Sequence, residues 1–120
     1  MVSEHGRIYW LNRWVTALRT TERPQCRYAL AQGEARCAVG ILVEEMVADG
    51  VIAGTWLSDP LLPPGHSREL YGVQKGIRPT PAYCNDDLGM SFPEIADLIA
   101  SQIPAHPAPA IEVTRELVPA

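Results

Sequence analysis

The sequence predicts an α+β fold in which three main helices pack with a small sheet, and three observations carry that class. Apolar residues recur at helical spacing over about 9–20 and 37–49. A capping signature followed by a third apolar stripe marks a helix at about 92–103. Between these, 51–83 is divided by prolines and glycines into short runs rich in β-branched and aromatic residues, the pattern of short strands.

In the first helix Leu11, Trp14, Val15 and Leu18 share one face, with Arg13, Thr16 and Arg19 turned outward. Asn12 is a candidate cap for a later start, because Asn is a favoured N-cap residue. Trp10 and Trp14, four apart, set their rings on one side, and Thr20, Thr21 and Pro24 end the helix. From Gln25 to Arg36 the pattern fits a helical turn or a short strand equally, with a turn signal at Gln32-Gly33-Glu34.

The second helix, from Cys37 to Asp49, is apolar over most of its circumference, as a buried helix is. Gly50 sits where a left-handed residue closes a helix. Gly40, inside it, costs about 1 kcal/mol relative to Ala, which points to a close approach by another backbone or a ligand. Val51 to Leu57 reads as a strand or tight hairpin, Pro60 to His66 as irregular chain, Glu69 to Val73 as a further strand and 74–81 as loop. In the third helix Ser91 and Glu94 form a capping box, Pro93 lies harmlessly in the first turn and Met90 is placed to staple onto Ile95. Phe92, Ile95, Ala96, Leu98, Ile99 and Ile103 supply its buried face, and Pro104 stops it. Residues 1–103 thus form one compact domain, and 104–120 a stiff Pro/Ala linker and tail.

A chain of 120 residues can bury a core without metal or disulfide support, and its hydrophobic content of 47% fits a globular protein. No apolar run is long enough to cross a bilayer and the N-terminus lacks a signal-peptide pattern, so the expected location is cytoplasmic, with no membrane partner. Three widely spaced cysteines in such a chain read as free thiols. The net charge of −4 is unevenly spread: residues 1–36 hold six Arg against three Glu, whereas 80–120 hold six acidic residues against Arg115. That split fits pairing between the two ends or an acidic face offered to a basic protein partner, but two solvated faces are the favoured reading, and the chain as a whole is too acidic to be expected to bind nucleic acid. The sequence carries no phosphate-binding glycine loop, nucleotide fingerprint, zinc-protease or calcium-loop motif, so no cofactor is expected.

Taken in order, Trp14-Val15-x-Ala17-Leu18-Arg19, Gln25 through Ala29-Leu30, Cys37-Ala38-Val39-Gly40-Ile41-Leu42, Asn85-Asp86 and Ser91-Phe92 with Ile95-Ala96-Asp97-Leu98-Ile99 make a pattern. It resembles that of small proteins of unknown function from actinobacteria and their phages, over residues 10 to 103. Val39 and Cys84 stand where such proteins look to have Leu. The resemblance implies a fold and a phage or mobile-element origin, and it supplies no activity.

The leading expectation is a small non-enzymatic binding or interaction protein of that type, such as a host-takeover or anti-defence factor. Gln25, Gly40, Trp56, Asn85 and Asp86 are its candidate contact residues, with Tyr71 and Tyr83 set to line a groove or to cover the sheet. The alternative is a cysteine-dependent hydrolase or transferase. A thiol at Cys37 on the N-terminus of the buried helix would be acidified by unpaired N–H groups, Gln25 would serve an oxyanion, and His66 with Asn85 or Asp86 would supply and orient a base. Cys26, Cys37, Cys84 and His66 have zinc-ligand chemistry but no paired spacing, so no metal site is expected. Asn85-Asp86-Asp87 also reads as a turn bonded to its own backbone.

Overall fold

The structure, a computed structural model, describes residues 4–52 and 64–104, with the side chains of 64–68 outside that description. The elements run α1 (Glu4–Thr20), β1 (Ala31–Gln32), β2 (Ala35–Arg36), α2 (Ala38–Ala48), α3 (Pro64–Gln74), α4 (Pro81–Asp86) and α5 (Phe92–Ala100). It is an α+β fold with a small sheet. The sheet, however, is the antiparallel β1–β2 pair, with Ala31 opposite Arg36 and Gln32 opposite Ala35. Gly33, at a φ of 60°, makes the tight turn between them.

The first helix begins earlier than predicted, at Glu4, because Ile8 extends the buried stripe of Leu11, Trp14, Val15 and Leu18 by a further turn. Asn12 is therefore interior to the helix and caps nothing: its amide donates back to the Ile8 carbonyl at 3.0 Å. Trp14 is fully buried and donates through Nε1 to the Ala38 carbonyl at 2.9 Å, while Trp10 is half-buried at the core's edge. α1 packs against α2, α3 and α5, α2 packs on α4, and α4 on α5.

α2 is the most buried element, with Ala38 through Val43 and Met46 all inside. It begins after Cys37 and closes on Gly50, at a φ of 75°, as the sequence requires. The Gly40 requirement is met by backbone. A Cβ there would lie 2.1 Å from the Leu30 carbonyl oxygen, which is itself held by the Cys37 N–H at 3.2 Å. The hairpin lead-in thus lies directly on the first turn of α2.

The strand expected at Glu69 to Val73 is instead part of α3. Leu70, Val73 and Ile77 are buried at intervals of three and four, a helical spacing that continues past the helix end. Pro64 takes the first helical position, where its missing N–H costs nothing. Val51 and Ile52 form a bend, and the rest of the expected 51–57 strand, Trp56 included, lies outside the described residues. Within the expected loop before α5, Thr80 caps the short α4 by accepting from Tyr83 N–H at 3.3 Å, with Pro81 in its first turn.

α5 has the predicted capping box, both bonds of which are formed, Ser91 N–H to Glu94 at 2.9 Å and Glu94 N–H to Ser91 Oγ at 3.3 Å. It ends at Ala100, one turn early. Gln102 and Ile103 donate to the carbonyls three residues back, a tightening that Pro104 favours by moving Ile103 out of helical geometry. The proposed linker and tail from 105 to 120 lie outside the described residues. No described helix is long and apolar enough to cross a membrane.

Gly40→Ala is expected to lower stability by about 2 kcal/mol in urea unfolding, although helix propensity alone would raise it by about 1 kcal/mol. The added methyl has to displace a backbone carbonyl already tied to Cys37. An unchanged or raised midpoint would show that this approach is looser than described.

Candidate functional site

Three segments distant in sequence meet around one side chain, that of Asn85 in α4. It is 1% exposed. Its Oδ1 accepts from Gln25 Nε2 at 2.7 Å and from the Ala38 N–H at 3.0 Å. Its Nδ2 donates to the Cys26 carbonyl at 2.8 Å and to Asp86 Oδ1 at 2.9 Å. Gln25 Nε2 also donates to the Met90 carbonyl at 2.7 Å. Gln25, Asn85 and Asp86, singled out from sequence, are therefore in one network, and Gly40 lies one turn into the helix that the network caps.

Every polar atom of the Asn85 amide has a protein partner, so the network is a buried latch with all its bonds made within the chain. It satisfies an α2 N–H that the helix itself leaves unpaired and holds the Gln25–Tyr28 segment in place. A side chain with its bonding capacity taken up this way positions neighbours more readily than it binds a ligand.

Cys37 is the N-cap of α2, where the sequence put it, and its sulfur accepts from the Gly40 N–H at 3.3 Å. Two influences compete on its pKa. Burial raises it, and the Gly40 and Val39 N–H groups lower it. Burial is the larger, and Cys26 and Asp86 add to it, so the thiol is pushed up to about 11. The residue is 7% exposed. In this conformation Cys37 is a protonated, enclosed thiol at neutral pH, without the depressed pKa that a nucleophile needs. Cys26 and Cys84 are also buried free thiols raised chiefly by burial.

The remaining catalytic candidates are differently placed. His66 is in the backbone of α3 and not in a loop, and its side chain lies outside the described residues. Asp86 Oδ1 is engaged by Asn85 and by the Tyr28 N–H at 2.8 Å. Among the described residues, no group of three or more His, Cys, Asp or Glu is placed to hold a metal ion.

Sequence reading passed over Tyr28, which the latch presents to solvent. It is 71% exposed at a φ of 61°, a left-handed conformation that costs a residue with a side chain of order 1–3 kcal/mol. Asp86 holds its N–H, and its hydroxyl donates to Asp87 Oδ1 at 2.8 Å. That bond is the main cause of a raised Tyr28 pKa. Tyr83, one helical turn before Asp87, and Leu88 are each about half exposed, and Arg27 reaches alongside Gly89. No local signal announces a left-handed tyrosine, since glycine or asparagine is the residue expected there.

Comparison with protein-family models, curated proteins and solved structures returns no match.

Two expectations follow. Asn85→Ala strands the Ala38 N–H and the Cys26 carbonyl inside the protein, and should cost about 2–4 kcal/mol in urea unfolding; a loss below 1 kcal/mol would remove the latch from its central place. For Cys37, the folded pKa near 11 stands above the free-thiol value of 9.0, so the unfolded chain gives up this proton first. Its contribution to stability is whole below about pH 9 and is lost as the pH rises through about 11. Stability should fall more steeply over that window in the wild type than in Cys37→Ala, and native Cys37 should react with a thiol reagent at pH 7 much more slowly than in denaturant.

Proposed function

We propose that this chain is a small non-enzymatic binding protein that docks a protein partner on the corner made by Tyr28, Tyr83, Asp87 and Leu88. The observation carrying the reading is Tyr28, a tyrosine kept in an unfavourable backbone conformation by Asp86 and set out into solvent. Strain maintained by surrounding structure concentrates at working sites, and tyrosine is among the residues that dominate binding at interfaces. Burying the Tyr28 and Tyr83 rings and Leu88 against a partner supplies apolar contact. The Asp87 carboxylate and the phenol bonded to it supply direction.

The partner is expected to be basic. Residues 86–97 carry Asp86, Asp87, Glu94 and Asp97 and no cation. Asp97 is paired with Arg19 across α1 and α5 at 2.8 Å, which leaves Asp87 and Glu94 as the outward charges of this stretch, with Arg27 alongside Gly89 for a mixed rim. The sequence resemblance extends the reading to a phage or actinobacterial accessory role, such as host takeover or defence evasion.

Tagged wild-type chain, Tyr28→Ala and Asp87→Lys, each confirmed as folded by circular dichroism, are compared in capture from a plausible host lysate. Binding of the captured protein is then measured with purified components. Each substitution should weaken binding at least tenfold, about 1.4 kcal/mol. Equal capture and equal affinity in both folded variants would sink the reading. Deleting 105–120 in parallel assigns the tail its share.

A further inference from the structure

Clefts on the described surface differ in what their charged groups are doing, and three of them show it. In one, about 560 Å³ along α1, Arg13 is bonded to Glu45 and to Tyr9 and Asp49. In another, Arg23 is paired with Glu34 and Glu44, each at 2.8 Å. The arginine of each of these clefts is paired with carboxylates of the chain.

The third is different. It has a volume of about 240 Å³ and lies between the end of α3 and the start of α4. Val39 and Leu70, both buried, give it an apolar floor, and the exposed Tyr71 ring forms one wall. Lys75 and Arg78 stand at its edge, and neither has a carboxylate within ion-pair distance among the described residues. In a chain of net charge −4, two neighbouring cations with no acidic partner among the described residues need an account.

Their backbone is firmly held. The Gln102 side chain clamps Arg78 from both sides, accepting from its N–H at 2.9 Å and donating to its carbonyl at 2.6 Å. Arg7 donates to the Lys75 carbonyl. Three carbonyls near the end of α3 are occupied as well: Leu70 by Gln74 Nε2 at 3.2 Å, Tyr71 by the Lys75 N–H at 2.8 Å and Gln74 by the Ile77 N–H at 3.1 Å. Arg78 Nη1 donates to the Ile77 carbonyl at 3.1 Å, which holds the guanidinium in place and leaves its other N–H groups for a ligand.

We propose that this cleft binds a small aromatic anion, its ring between the Val39–Leu70 floor and Tyr71 and its carboxylate or phosphate on Lys75 and Arg78. Arg offers a planar fork of donors and Lys a mobile point charge, a pairing that suits either anion. The volume is below the roughly 300–1,000 Å³ of clefts for drug-sized molecules, so the ligand is a single-ring compound. This site is separate from the Tyr28 corner and does not rest on it.

The test titrates full-length protein with phenyl phosphate, benzoate, inorganic phosphate and phenol, following backbone amide shifts by NMR. Saturable binding of phenyl phosphate or benzoate, with shifts at residues 70–80, is expected, and the tighter of the two names the anion. Phosphate and phenol should each bind at least tenfold more weakly. Arg78→Gln and Lys75→Gln should each weaken the aromatic anion at least fivefold, and Tyr71→Ala should do so without altering charge; dispersed spectra confirm that each variant folds. No saturable binding at millimolar ligand, equal affinity for inorganic phosphate, or equal affinity in all three folded variants overturns the proposal.

Discussion

The Asn85 amide joins three stretches of chain that nothing local would bring together. Its oxygen takes the first N–H of α2 and the Gln25 amide, and its nitrogen takes the Cys26 carbonyl and Asp86. A buried amide is costly unless all its bonds are made, and here the bonding is complete, so the cost becomes a constraint on geometry. With Asn85 in place, the 25–28 segment, the start of α2 and the corner after α4 have one mutual arrangement. The left-handed Tyr28 and the packing of Leu30 on Gly40 both depend on it.

That arrangement also explains why a cysteine at a helix N-terminus is not an activated one. The N–H groups of α2 lower the Cys37 pKa as helix ends do, but the thiol is buried. Desolvation then outweighs the dipole. The hairpin's Arg36 is buried too, and its guanidinium donates to the Gly33 and Ala35 carbonyls at 2.8 Å and lies 3.4 Å from Glu44. Segments that look chemically promising in isolation are occupied with holding one another.

The uneven charge along the chain resolves partly into internal pairs. Arg19 meets Asp97, joining the basic first helix to the acidic last one, whereas Arg13 and Arg23 find their partners in and around α2. These pairs are at least partly exposed, and such pairs contribute modestly to stability, so their main effect is to decide which charges are left over. Among the described charges left without an ion pair are acid at Asp87 and Glu94 and base at Lys75 and Arg78. Asp87 is bonded to the exposed Tyr28, and Lys75 and Arg78 share a cleft with the exposed Tyr71.

By itself the sequence determined the α+β class, the three principal helices, the capping box at Ser91 and Glu94, the closing Gly50 and the close approach at Gly40. Each rests on periodicity, capping chemistry or backbone sterics within a few residues, and such signals are local. It also named Gln25, Asn85 and Asp86, with Gly40 and Trp56, as candidate contact residues. Only tertiary structure decided that the first three form a latch, because whether an amide is free or fully bonded depends on partners as many as 60 residues away. The same holds for α3, where Leu70 and Val73 are helical because the core receives them on one side, against the local appearance of a strand. It holds for Cys37, whose acidity was fixed by what covers it, and for Tyr28, whose backbone is sustained by a carboxylate 58 residues distant.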